Sequence, residues 1–478
     1  MPHGELTILQ SKVHLIDPHL LIDDKDLLNI RSAIFDALIQ RGKGGKYRPA
    51  LAKDWRVRGD GRTWTFTLRS KVSFHNGEML SGEDVVASLH RVCDPSIGGV
   101  MGTQGVFHSY LGDAEVRTIG KSRVRIQTPK PMADLLDLLV DIPIVPRNAL
   151  DGLARNPIGT GPYDLQERQD GLLVMQAFAQ HWRGRPTIKK LHWRKAGDND
   201  EKPTALLVGE ADVVTDLGLG SKSTLQNAEK VRLVSRDSSM CIIFMCNFLS
   251  ALCRDKRVRQ AMNYALNVPE IIERVKGGAA IPLNGPLTPL HLGHDPATAA
   301  YRYAPDKANN LLADAGYRSG VRLVLDVPTI APDEGPVLAS LMSEQYAKVG
   351  ISTEIRQFDN RAQYAEMVRA KRIDDACCFD STPSSTYRVL REKLHSGMRG
   401  PWWQGYSNEN VNNLIDRAQA TTDVTKRRRL YREAYRIIHD DAPWVFLYSL
   451  KEFWGMGSRA RDWTIGIDGL IKPAIRDS

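Results

Sequence analysis

The sequence predicts an α/β protein that carries an additional block of antiparallel strands and helices in its first third. Three observations point there. Strand-like and helix-like periods alternate between Val321 and Phe379; paired apolar/polar alternations joined by glycine turns fill residues 47–158; and the rhythm becomes helical beyond Ser238. A chain of 478 residues, 42% hydrophobic and 25% charged, has the length of two to four domains and the balance of a soluble globular protein.

In chain order, "DWRVRGDGRTWTFTLR" reads as a hairpin: Trp64, Phe66 and Leu68 alternate with Thr63, Thr65 and Thr67, and "GDG" supplies the turn. "SGEDVVASLHRV" follows as a helix, with Ser81 as N-cap, Asp84 three residues on, and Val85, Leu89 and Val92 at helical spacing. "EVRTIGKSRVRIQT" is a second hairpin around Gly-Lys-Ser, and together these make residues 47–158 a small α+β unit. "NPIGTGPYDL" is a Gly/Pro loop feeding the alternating "LLVMQAF", and "KPTALLVGEADVV" is a short helix, a glycine turn and a short strand. "DKRVRQAMNYALN" puts Val258, Met262, Ala265 and Leu266 on one helical face; "VPEIIERVKGG" opens with Pro269, and "APDKANNLLADAGY" closes at Gly316. From Val321 the order is strand "VRLVLDV", helix "PVLASLMSEQYAKV", strand "ISTEIRQF", helix "RAQYAEMVRAKR", strand "DACCF". That order predicts right-handed βαβ crossovers and a parallel sheet. Ligands of open parallel sheets bind beyond the carboxyl ends of the strands, which is where Asp380 falls, ahead of the Ser/Thr/Pro loop "STPSSTYR". A last large helix, "TKRRRLYREAYRIIHDD", leads through Pro443 into the strand-like "WVFLYSL".

Composition excludes several function classes. The 65 Lys and Arg against 56 Asp and Glu are spread along the chain, and the densest run, Lys426–Glu433, reads as a solvated helix face, so no nucleic-acid partner is expected. The longest nearly apolar stretch, Met240–Cys253, is interrupted by Asn247 and Ser250 and falls short of the ~20 apolar residues of a membrane span. "MPHGELTILQ" lacks the pattern of a secretory signal, so the chain is read either as intracellular or as a mature form. Five of the six cysteines sit in apolar segments, as buried thiols do, and suggest no disulfide framework. There is no G-x-S-x-G elbow, no H-E-x-x-H and no pair of C-x-x-C motifs; no catalytic residue, metal site or cofactor is expected. "LGLGSKS" misses the Walker spacing and reads as a surface turn, and "HLGH" as a loop with two surface histidines, His291 and His294.

Seven stretches, in order, carry a resemblance: "YRPALAKDWRVRGDGRTWTFTLRSKVSFHNGEMLSGEDVVASLHRV", "NPIGTGPY", "HWRGRPTIKKLHWR", "ALLVGEADVV", "DKRVRQAMNYALN", "YRYAPDKANNLLADAGY" and "APWVFLY". Together they resemble the extracytoplasmic solute-binding proteins of ABC importers, family 5, the group with peptide-, nickel- and opine-binding members. The resemblance implies a two-lobed, type II periplasmic binding protein fold that closes on its ligand. Lobe I would comprise 1–46, 159–237 and 456–478, an extra α+β domain 47–158, and lobe II 238–455. Gly159, Thr160, Gly161, Pro162 and Tyr163 would then form a turn, and Asp255, Arg257 and Arg259 would anchor a helix, without touching ligand.

The same resemblance places Asp380 where peptide-binding relatives pair an aspartate with the ligand's α-amino group, although Cys377 and Cys378 stand where those relatives carry an aromatic residue. An Asx turn over "STPSST" is the alternative role for Asp380. Met240 and Cys241 on the hinge-crossing strand, Ser381, Ser384, Ser385 and Thr386 as hydrogen-bonding groups, Arg388 as a carboxylate clamp, and Trp402 and Trp403 as stacking surfaces complete the expected site. The expected function is capture, without chemistry, of a small peptide, opine or other amino-acid-derived solute by a periplasmic monomer that delivers it to ABC permease subunits. A nickel-type chelate as ligand, or a cytoplasmic sensor built on the same fold, are the alternatives.

Overall fold

The computed structural model describes residues 4–20, 24–42, 46–97, 106–198, 200–225 and 228–476. They form two compact units, Met1–Arg236 with Glu452–Ser478, and Asp237–Lys451. The chain passes from one unit to the other inside two long strands, Val231–Cys246 and Trp444–Gly457.

In the first unit, strand Glu5–Gln10 lies parallel to Lys190–Lys195 on one side and to Val213–Val214 on the other. The antiparallel pair Leu172–Ala177 and Tyr163–Gln169 extends the sheet. Leu6, Ile8, Leu191 and Trp193 from the sheet meet Ile30 and Ile34 of helix Lys25–Ile34 and Trp454 and Trp463 from the C-terminal segment. A separate four-stranded antiparallel sheet holds both expected hairpins, Ala52–Val57 with Thr63–Leu68 and Glu115–Ile119 with Arg123–Gln127, joined through Trp64 opposite Ile126 and Phe66 opposite Val124. Trp64, Phe66 and Leu68 are buried, as their alternation predicts, and each contributes on the order of 1.5–3 kcal/mol by leaving water. Helix Gly82–Cys93 packs Val85 and Leu89 inward, and its Asp84 carboxylate accepts from Ser81 N at 2.8 Å and from Arg147 N at 3.0 Å, closing the expected cap.

"NPIGTGPY" is a backbone-on-backbone contact. Gly161 N donates to Ile34 O at 2.9 Å, and a Cβ built on Gly161 would lie 2.5 Å from Ile34 C, while one on Gly159 would lie 2.0 Å from Ile34 O. Only glycine lets this loop lie against the end of helix Lys25–Ile34. Next to it, half-buried Asp36 accepts from Trp182 Nε1 at 2.9 Å and Thr160 Oγ1 at 3.1 Å, with Arg183 at 3.6 Å. Burial alone would raise its pKa, but the adjacent His181 ring, Arg183 and Trp182 outweigh that and bring it down to about 2. Thus "GTGPY" and "HWRGRP" are two halves of one structural knot. Buried His19 forms another: its Nε2–H donates to Pro143 O at 2.9 Å, and Nδ1 faces the Arg91 guanidinium at 3.0 Å.

The second unit has the predicted parallel core. Val321–Pro328 runs parallel to Ile351–Phe358 and to Ala376–Ser381, with helices Gly335–Ala347 and Arg361–Arg369 as the crossovers. Residues 241–246 pair antiparallel with Ala376–Ser381, so that Cys241 lies opposite Ser381, Ile242 opposite Asp380 and Ile243 opposite Phe379. Helix Lys256–Tyr264 buries Val258 and Met262; Asp255 caps it by accepting from Arg257 N, and buried Arg259 donates to the carbonyls of Cys253, Arg254 and Asp441. Those motif residues hold the helix, as expected.

Several local expectations change. The hinge-crossing strand expected around Met240 and Cys241 is longer than its apolar stretch, running Val231–Cys246. "LGLGSKS" is partly helical, within Leu219–Leu225. His291 is buried, not on the surface: its Nδ1 accepts from Thr288 N at 3.1 Å and its Nε2–H donates to Pro383 O at 2.7 Å. Most consequentially, Asp380 lies inside its strand, and the expected loop "STPSSTYR" begins in that strand and ends in a helix: Ser385 caps Thr386–Leu394 by accepting from Arg388 N at 3.2 Å.

Candidate functional site

The site is built at the carboxyl end of strand Ala376–Ser381, in the second unit. Cys377 and Cys378 are fully buried, and burial pushes both thiols well above their ordinary range, so they are apolar filler. Cys241, opposite Ser381, is likewise buried and its thiol is pushed up to about 12. Met240, one residue before it, is half-buried.

Asp380 is half-buried and receives Arg361 Nη2 at 2.9 Å. Arg361 opens helix Arg361–Arg369, whose N-cap Asn360 accepts from Gln363 N at 3.1 Å, and the Tyr364 hydroxyl, 2.7 Å from Cys378 O and 3.0 Å from Asp326 O, seats that helix against the strands. Among the described residues, Arg361 Nε and Nη1 are buried without an acceptor. The Phe379 ring, 4% exposed, has the Arg361 guanidinium carbon 5.9 Å from its centroid. Trp402 packs on it at 4.9 Å, tilted by 50°, with the Arg369 guanidinium 5.2 Å from the Trp402 centroid. Burial lowers the Arg369 pKa.

The Ser/Thr turn that follows is tied down at every step. Ser239 Oγ donates to Thr382 O at 3.0 Å and lies 3.1 Å from Ser384 Oγ, and Thr386 Oγ1 donates to Leu292 O at 2.7 Å. Arg388 is buried and its Nε donates to Glu392 Oε1 at 3.0 Å, one turn along the same helix. Trp403 turns to the Tyr406 carbonyl, donating Nε1–H at 2.6 Å, rather than towards Phe379. The structure therefore brings Arg361 to Asp380, packs Trp402 on Phe379, sets Cys241 opposite Ser381 and joins Ser384 to Ser239, whereas Ser385, Thr386 and Arg388 support the corner from the helix that follows. Arg361 was not legible in sequence: it is one arginine among many until the crossover helix lays it on Asp380. Among the described residues no group of three or more His, Cys, Asp or Glu is arranged to hold a metal ion, and no helix is long and apolar enough to cross a membrane.

Residues 46–376, more than half of the chain, match the family of bacterial extracellular solute-binding proteins, family 5 (middle). The chain belongs to that family. It is 25% identical over 454 residues to the glutathione-binding protein GsiB of Shigella flexneri, covering 91% of this chain and 87% of that one. Among solved structures, HbpA2 of Haemophilus parasuis superimposes with a TM-score of 0.86 at 21% identity, covering 98% of this chain and 100% of that one. AgaA of A. tumefaciens R10, solved with agropinic acid, does so with a TM-score of 0.79 at 22% identity, covering 98% and 95%. The fold is that of the family 5 periplasmic binding proteins, and the protein is the solute-binding component of an ABC importer, a class that acts outside the cytoplasm and delivers solute to a permease.

Proposed function

We propose that the captured solute is a small peptide, opine or other amino-acid-derived compound, bound by a periplasmic monomer, and that the Asp380 corner of the second unit receives it. Asp380, Ser381, Ser384 and Trp402 form the receiving face with Met240 and Cys241, while Ser385, Thr386 and Arg388 act by fixing its backbone. The domain reading that accompanies this keeps 47–158 as an extra domain on lobe I and 238–455 as lobe II. The observation that carries the proposal is Asp380 itself, a half-buried carboxylate at the carboxyl end of a parallel strand, where open α/β sheets place their ligands. Delivery needs no bond chemistry: solute favours the permease-competent state by as much as that state binds it more tightly.

Native mass spectrometry of the purified protein, followed by calorimetry with the compound it carries, tests this. The expected result is a co-purified compound bearing an amine or carboxylate, with affinity reduced at least tenfold in Asp380→Ala. A bound compound with neither group, or unchanged affinity in Asp380→Ala, would overturn it.

A further inference from the structure

The unmet hydrogen-bonding demand at the Asp380 corner lies where the aspartate alone would not suggest. Asp380 already has a cation, Arg361, at 2.9 Å, so its carboxylate does not wait on a ligand ammonium for compensation. The unmet demand is on the other partner. Arg361 presents five N–H donors in a planar fork, and its Nε and Nη1 are buried with no acceptor among the described residues. A charged donor withdrawn from water and left unmatched is costly, and folded proteins leave such groups chiefly where a ligand, ion or water completes them. Further cations surround the same ring: Lys393 Nζ lies 6.0 Å from the Phe379 centroid, and Arg369 stands over Trp402, which packs on Phe379. In this partly dry setting the Arg361 guanidinium attracts an anion more strongly than it would in water.

We infer that the solute taken at this corner presents a carboxylate to the Nε/Nη1 edge of Arg361, and that this carboxylate, more than any amine, decides which solutes are held. The inference rests on the proposal that the Asp380 corner receives the solute, and it narrows the class to acids: free-carboxylate peptides, opine-type imino acids and dicarboxylates. Arg361 is thereby a specificity-determining residue, and Asp380 orients its fork rather than serving as the main ligand charge.

The test is calorimetry and thermal shift on the full chain, wild type, Arg361→Gln and Arg361→Lys, with four probes: alanylalanine, its C-terminal amide, its N-acetyl form, and glutarate. The expected result is that amidation weakens binding at least tenfold and N-acetylation by less than threefold. Arg361→Gln should erase the preference for acid over amide, and Arg361→Lys should retain part of it. Circular dichroism and unfolding midpoints of both variants confirm that they fold, and Arg361→Lys keeps the charge opposite Asp380. If glutarate binds through Arg361 while neither peptide acid does, the inference stands and the amino-acid-derived class falls. If the amide binds as tightly as the acid and Arg361→Gln changes neither, the inference falls and that class stands. If no carboxylate probe binds the wild type at millimolar concentration, the inference is overturned.

Discussion

His19 makes the first unit acid-sensitive in a calculable way. Burial pushes its pKa from 6.5 down to about 4; the Pro143 carbonyl and Asp17 pull it up, and Arg91 and Arg31 push it further down. The geometry explains the sign: Nε2–H is spent on Pro143 O, so a second proton would sit on Nδ1, 3.0 Å from a guanidinium nitrogen that can only donate. Because the folded pKa lies below the unfolded one, the unfolded chain binds the extra proton first as pH falls. The contribution is complete above pH 6.5 and is lost progressively down to about 4. A gap of about 2.5 units at 1.36 kcal/mol each amounts to about 3 kcal/mol across that window. Urea unfolding of the wild type and His19→Gln, followed by tryptophan fluorescence at half-unit steps from pH 7.5 to 4, measures it. Gln keeps a donor for Pro143 but cannot titrate, so the variant's stability should fall less steeply with acid, by up to one proton's slope between those limits. Parallel pH profiles for the two proteins would refute the reasoning.

Gly161→Ala should destabilise the first unit by about 1–3 kcal/mol, since its Cβ would enter at 2.5 Å from Ile34 C; an unfolding midpoint equal to wild type would contradict the close approach. Ser385→Ala should cost about 1 kcal/mol by removing the cap of helix Thr386–Leu394, visible as a lowered denaturation midpoint, and no change would mean that the cap is not needed. All six cysteines are free, five are buried, and Cys93 is pushed up to about 12 by burial. The native protein at pH 8 should therefore react with Ellman's reagent far more slowly than in urea, where six thiols appear; rapid labelling of Cys93, the half-buried one, in the native state would count against the upward shift of its thiol.

Regular periods were readable where side chains obey the simple rule of apolar inside and polar outside. Trp64, Phe66 and Leu68 announced their strand, and the alternation of strands and helices from Val321 announced the parallel sheet. Helix Thr386–Leu394 was hidden because it breaks that rule: Arg388, Glu392 and Lys393 are buried beside Val389, Leu390 and Leu394, so its inward face reads as polar. The site divided in the same way. Asp380 was legible because a strand end is a local property of sequence, whereas Arg361 reaches it from a preceding helix, a neighbour that only the tertiary fold supplies. His291 was misplaced for a related reason: its partner, the Pro383 carbonyl, is 92 residues away.

The glycines packed on Ile34 bear on how proteins of this kind are recognised. Stretches such as "NPIGTGPY" advertise the lineage, yet here they record how two pieces of backbone were allowed to touch, a requirement indifferent to cargo. The glycines that advertise kinship around Ile34 and the residues proposed to choose the solute are thus different residues, in different units of the chain. Selection can then rewrite the corner around Phe379 for a new nutrient without disturbing the signature by which the lineage is known, and shared signatures alone will group transporters of dissimilar diets.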